Sequence, residues 1–270
     1  MPNTIFITGA STGLGHATAL LFAQRGWNVI ATMRDPAAAP DLAAHAQVTV
    51  LPLDVTKPEQ VQDAARRALE LEDVDVLFNN AGYGLAGPFE GASDEQLVRQ
   101  LDTNLLGVMR VTQAFLPHFR TRGAGVIVTT TSIGGLVTFP FNSVYHATKW
   151  ALEGWSESLA FELKPFGVRV KTVAPGGIRT DFAGRSIVVT QHDAYADALG
   201  KTMAAFSKPE RQGLGSSAEQ IAEIVWEAVT DGEDRVRYVA GRDAQATYAQ
   251  REQVGAETFR KGVAQAFLGE

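Results

Sequence analysis

The apolar residues of this chain switch period repeatedly, from about two to about 3.6 and back, and no other feature narrows its fold so far. T-I-F-I (4–7), N-V-I-A-T (28–32), Q-V-T-V-L (47–51), V-D-V-L-F (74–78), G-V-I-V-T-T-T (125–131), V-R-V-K-T-V (168–173) and R-V-R-Y-V (235–239) read as strands. Helical patterns lie between them at 16–24, about 58–71, about 94–121 and 217–230. A further helix carries Tyr145 and stops near Lys164-Pro165, where proline cannot continue it. Strands alternating with helices form a parallel sheet covered on both faces, and the near-continuous apolar strands fit that burial. The expectation is an α/β chain, one domain over 1–270, with a doubly wound parallel sheet of about seven strands.

Two segments depart from the rhythm. Residues 178–216 are long for a connection without a strand, and such segments are usually functional. This one would hang over the C-terminal ends of the strands, where such sheets bind ligands, so it reads as a substrate loop or lid. A plain surface excursion is the alternative. The tail at 241–268 reads as a terminal helix of unassigned role.

Composition removes several functions. The charge is −6, from 24 Lys and Arg against 30 Asp and Glu, and no basic stretch resembles a nucleic-acid footprint. No cysteine is present, which excludes disulfides and thiol catalysis. The five histidines (16, 45, 118, 146 and 192) show no metal-ligand spacing, so no metal is expected. The N-terminus lacks a signal-peptide pattern and no apolar run nears the ~20 residues of a membrane span, which makes the cytoplasm the default location.

T-G-A-S-T-G-L-G (8–15) follows the first strand and opens the first helix. Glycines at 9, 13 and 15 permit a tight turn and a close backbone approach to a diphosphate, with the helix N-terminus adding partial positive charge. Tyr145 and Lys149 lie one helical turn apart on one face. A tyrosine has a pKa of about 10, and a neighbouring ammonium would lower it toward the range useful for proton transfer. His146 adjoins the tyrosine but points roughly 100° away on the helix, out of the site.

T-G-x-x-x-G-x-G, N-N-A-G at 79–82, Ser132, Y-x-x-x-K at 145–149 and P-G at 175–176 occur together in this order. The set resembles the short-chain dehydrogenase/reductase family over about residues 3–240. The resemblance implies a Rossmann fold and a nicotinamide-dependent oxidoreductase that moves hydride to or from a carbonyl or secondary alcohol. It implies that Tyr145 is the acid or base, Ser132 holds the substrate oxygen, Lys149 supports the tyrosine and binds ribose, and Asn104 holds a water relay. An Asn104 bonding its own helix backbone is the plainer alternative. Cofactor contacts would come from Gly9, Ser11, Thr12, Gly13, Leu14, Gly15, Arg34, Asp54, Val55, Asn80, Ala81, Gly82, Tyr145, Lys149, Pro175, Gly176, Ile178 and Thr180. Ser132, Gly134, Leu136, Tyr145 and Phe182 would face the substrate.

An NAD enzyme normally carries an acid at the end of strand two, about twenty residues beyond the glycine turn. Here Met33 holds that position and Arg34 follows, a pair suited to a 2′-phosphate. NADP(H) is favoured over NAD(H); Asp35 could reach a 2′-hydroxyl, but it precedes Pro36 and better fits a turn. The candidate pocket walls are apolar, which points to a lipophilic small-molecule substrate. Trp150, Trp155 and Phe161 recur at near-helical spacing, and in this family that helix commonly joins a homodimer or homotetramer. A catalytically idle NAD(P)-binding redox sensor or partner protein is the rival reading, although such proteins typically lose the tyrosine, lysine or serine kept here.

Overall fold

The computed structural model describes residues 2–179, 186–208 and 213–269. The central sheet holds β1 (Thr4–Thr8), β2 (Asn28–Met33), β3 (Val48–Pro52), β4 (Val76–Asn79), β5 (Gly125–Thr130), β6 (Val168–Pro175) and β7 (Arg237–Ala240). Their order is β7-β6-β5-β4-β1-β2-β3, and each neighbouring pair is parallel. The chain winds one way from β1 through β2 to β3 and the other way from β4 onward. The crevice at that reversal, between the ends of β1 and β4, is where such sheets take ligands.

Alternation along β1 builds two cores. Ile5 and Ile7 face α1 (Gly13–Gln24) and α7 (Ala218–Thr230), packing with Phe22, Ile221 and Val225. Phe6 faces α2 (Pro58–Leu71), α4 (Gly107–Arg122) and α5 (Ser143–Leu163), packing with Val61, Phe115 and Leu159. Each fully buried side chain of this size contributes about 1.5–3 kcal/mol, and the two layers hold β1 to β6 from both sides, while the edge strand β7 joins only the first.

Three expectations change in detail. The helix expected over 94–121 is two helices, α3 (Asp94–Leu101) and α4, joined by a π-helical turn over Asp102–Leu106 that carries Asn104. The tail is also two helices, α8 (Arg242–Val254) and α9 (Ala256–Leu268), broken at Gly255, whose φ of +78° ends the first. Within 178–216, Ile178–Arg179 pairs with Ser216–Ser217, and Ile187–Val189 pairs with Gly84–Ala86. The helix α6 (Ala196–Phe206) follows, and Phe206 meets Phe139 and Phe267 at centroid distances of 5.9 and 4.8 Å. That aromatic contact fastens the loop helix to the tail.

Candidate active site

The turn between β1 and α1 is built for backbone approach. Gly9 and Gly13 have φ of +68° and +60°, which favours glycine at both. A Cβ on Gly9 would lie 2.8 Å from the Ala81 Cα, and one on Gly15 would lie 2.4 Å from the Gly9 carbonyl. Thr12 precedes α1 without a side-chain cap, and no acid occupies the first turn. Helices α3 and α7 instead carry full capping boxes, Ser93 with Gln96 and Ser217 with Gln220. The first N–H groups of α1 therefore have no side-chain acceptor and point into the crevice end of the sheet, a donor set that fits a dinucleotide diphosphate.

Asn80 stitches the crevice together. Its Nδ2 donates to the carbonyls of Thr8 and Gly9 at 3.1 and 3.0 Å, and its Oδ1 accepts from Thr130 at 3.3 Å. The Thr8 hydroxyl accepts from the backbone of Asn80 and Ala81 at 2.9 and 3.1 Å. The loop from Asn80 to Gly82 is thus clamped to the glycine turn.

At the far end of the crevice, Arg34 is exposed after β2, while Asp35 accepts from the Ala37 N–H at 3.0 Å, the turn role its sequence position indicates. Burial works to raise the Asp54 carboxyl, but hydrogen bonds from Thr56 and the Arg34 charge outweigh it and hold the group below its ordinary pKa. Val55 is buried against Gly107.

The end of β5 and the first turns of α5 bring Ser132, Tyr145 and Lys149 together. The Ser132 hydroxyl accepts from the Gly134 N–H at 3.0 Å and is hydrogen-bonded to the Tyr145 phenol. Lys149, only 6% exposed, donates from Nζ to the Thr130 carbonyl at 2.8 Å and lies 5.8 Å from the Tyr145 ring centroid. Burial pushes its pKa down to about 8, against a smaller opposing pull from Glu153. The phenol differs from the sequence expectation. Burial raises its pKa above the ordinary value, against a smaller lowering by Ser132. Burial therefore leaves the phenol protonated across the neutral range.

Asn104 does not bond its own helix. Its Oδ1 accepts from the Tyr83 N–H at 3.0 Å, and its Nδ2 donates to the Tyr83 carbonyl at 2.8 Å and to Thr148 at 3.4 Å. Both amide hydrogens and one lone pair are taken, so the side chain ties the loop after β4 to α5. The π-helical turn, a feature frequent at functional sites, sets it there.

His146 also departs from expectation. It is buried, with burial depressing its pKa to about 4, and a Cβ on Gly134 would fall 2.6 Å from its ring. The imidazole fills the space beneath the Ser132–Gly135 turn rather than leaving the site. Gly134 and Leu136 are themselves buried. Pro175 ends β6, Gly176 follows it, and Ile178 opens the short paired segment beyond. Thr180 and Phe182 lie outside the described residues. Two further groups reach these loops from the tail, Asp243 to the Gly177 N–H and Arg251 to the Leu136 carbonyl. No local pattern marks either. Among the described residues no helix is long and apolar enough to cross a membrane.

Comparison with known proteins supplies the family. The short chain dehydrogenase family model matches residues 3–187. The chain is 37% identical over 216 residues to 3-ketodihydrosphingosine reductase of Bacteroides thetaiotaomicron, covering 78% of each protein. It is 35% identical over 250 residues to human 17-beta-hydroxysteroid dehydrogenase type 1, covering 87% of this chain and 76% of that one. A short-chain dehydrogenase from Streptomyces avermitilis superposes with a TM-score of 0.85 at 32% identity, over 98% of this chain and 95% of that one. A Burkholderia cenocepacia short chain dehydrogenase in complex with NADP gives 0.77 at 26% identity, covering 97% of each chain. A Burkholderia phymatum short chain dehydrogenase/reductase in complex with NAD gives 0.79 at 27% identity, covering 93% of each. With the glycine cradle and parallel sheet described above, these matches place the chain in the short-chain dehydrogenase/reductase family, as an NAD(P)-dependent oxidoreductase with a Rossmann-type fold acting on a small molecule.

Proposed function

We propose that the protein reduces a lipophilic ketone or aldehyde, or oxidises the corresponding alcohol, with NADP(H) as preferred cofactor and Tyr145 as the proton-transferring acid or base. The observation that carries the reading is the convergence of Ser132 and Lys149 on Tyr145 at the strand ends. Bound reduced nicotinamide supplies the hydride for reduction. The Ser132 hydroxyl orients the substrate oxygen and stabilises charge developing there. Tyr145 Oη, kept protonated at neutral pH by its burial, delivers the proton to that oxygen. Lys149, held by Thr130, keeps a positive charge under the ring as the phenolate forms.

Two features support the finer choices. Arg34 is exposed at the end of β2 and acts electrostatically on Asp54, within the region a 2′-phosphate would occupy, while Asp35 is turned into its own loop. The relatives named for 3-ketodihydrosphingosine and a hydroxysteroid support a lipophilic substrate. Assembly belongs to the same reading: Phe161 is 79% exposed and Trp150 41% exposed on α5, apolar surface that a second copy would cover.

The test is NADPH and NADH binding by fluorescence transfer to the nicotinamide, followed by oxidation at the nicotinamide absorbance band against a panel of lipophilic carbonyls. Tighter NADPH binding with turnover supports the reading. Arg34→Ala should weaken NADPH about tenfold or more and leave NADH unchanged, as loss of a charge-assisted bidentate contact requires. Binding without turnover on any carbonyl or alcohol would favour a redox-sensing role instead.

A further inference from the structure

The first helix of the tail, α8, touches both loops that flank the site. Near its start, Asp243 Oδ2 accepts from the Gly177 N–H at 2.7 Å. A Cβ on Gly176 would meet that oxygen at 2.2 Å, so glycine at 176 is what lets the carboxylate dock. The same loop is held on its other edges, where Gly176 N–H donates to the Ala240 carbonyl at 3.1 Å and Ser216 N–H to the Gly177 carbonyl at 2.9 Å. Two helical turns on, about 12 Å along the axis, Arg251 donates to the Leu136 carbonyl and lies 5.0 Å over the Trp150 ring. Leu136 closes the turn that begins at Ser132, since its N–H donates to the Ile133 carbonyl at 2.9 Å. Trp150 follows Lys149 directly.

Apolar burial does not explain why α8 sits here. Ala244 is the one fully buried residue of α8, and polar contacts hold the helix to the two loops and, through Gln245, to the Val239 carbonyl. The second carboxylate oxygen, Asp243 Oδ1, is buried without a hydrogen-bond partner among the described residues. Leaving a buried acceptor unsatisfied costs about 1–3 kcal/mol, which marks the placement as one that needs a compensating gain.

We infer that α8 is a splint across the active site, with Asp243 positioning the loop after β6 for the nicotinamide end of the cofactor and Arg251 positioning the Ser132–Leu136 turn for the substrate. The inference rests on the reductase reading. It assigns the two residues separate effects, which a helix serving only to stabilise the fold would not produce.

The experiment uses the full chain and four variants, reading NADPH binding by fluorescence transfer, carbonyl KM and kcat, and the melting temperature. Asp243→Ala should weaken NADPH about tenfold, and Asp243→Asn should bind within about twofold of wild type, because its amide oxygen still accepts from Gly177. Arg251→Ala should leave NADPH affinity unchanged and raise the carbonyl KM about tenfold. Gly176→Ala, whose new methyl displaces the carboxylate, should reproduce the Asp243→Ala loss and replaces it should that variant not fold. Wild-type NADPH affinity in both Asp243→Ala and Gly176→Ala overturns the inference while leaving the reductase reading intact. Equal losses in every readout, scaling with melting temperature, overturn it as well. Wild-type protein that binds neither nucleotide removes the reductase reading and this inference together.

Discussion

Two buried lysines in this molecule each lie close to a tyrosine, and their surroundings separate a site from a brace. Lys171 on β6 is 1% exposed, bonds Asp231 at 2.6 Å and donates to the Tyr238 hydroxyl at 2.9 Å, while Tyr238 donates to the second Asp231 oxygen. Every charge in that triad has a partner, and Arg235 stacks over the tyrosine at 4.2 Å. Lys149 is nearly as buried, yet among the described residues its one hydrogen bond goes to the Thr130 carbonyl, and no carboxylate bonds its ammonium. A buried charge paired closely is structural; a buried charge left with a neutral partner is available to respond when charge develops beside it.

Removing each lysine in turn tests the distinction between site and brace. Lys149→Met should lower carbonyl turnover about 10²–10³-fold, the range for loss of a transition-state charge partner, with the melting temperature unchanged or raised. Lys171→Met should do the opposite. Activity per folded molecule is retained and stability falls by about 3 kcal/mol, the lower end for a broken buried pair, because the Asp231 side chain keeps 17% exposure. Urea unfolding of both variants beside steady-state rates is the check. Comparable losses of stability in the two would erase the distinction.

The two roles of Lys149, in stability and in turnover, part with pH. Burial holds the folded Lys149 at about 8, below its ordinary value of 10.5, so between those values the unfolded chain binds more protons. The contribution of Lys149 to stability therefore rises as pH climbs through that window, while the charge under the phenol is lost. Reductive kcat/KM should stay level up to pH about 8 and fall above it. A profile level to pH 10 would contradict the role given to Lys149. The smallest effect is expected at Tyr238→Phe, about 1 kcal/mol of stability with unchanged kcat.

The main architecture was legible because buried parallel strands are apolar on both faces, and all seven appear within two residues of their expected bounds. The glycine turn was legible for a similar local reason: strand, turn and helix are contiguous in the chain. Asn104 shows the limit. A π-helical turn shifts the hydrogen-bond register without changing the apolar period around it, so the break between α3 and α4 has no sequence signature. Asp243 and Arg251 show another, since their partners lie 66 and 115 residues away in the chain. Counting angles on its own helix misplaces His146, because the space that receives it belongs to Gly134, a residue of another loop. Spacing on one helix likewise gives no sign of the Thr130 carbonyl, from β5, that holds the Lys149 ammonium.

The most direct test makes one substitution at both tyrosines, Tyr145→Phe and Tyr238→Phe, and measures a single turnover of bound NADPH with a carbonyl that the wild-type protein reduces. The account predicts that Tyr145→Phe binds NADPH as wild type does and loses about 10²–10⁴-fold in the hydride-transfer rate, while Tyr238→Phe transfers hydride at the wild-type rate from a less stable fold. A Tyr145→Phe protein that binds NADPH and reduces the carbonyl at the wild-type rate would contradict it.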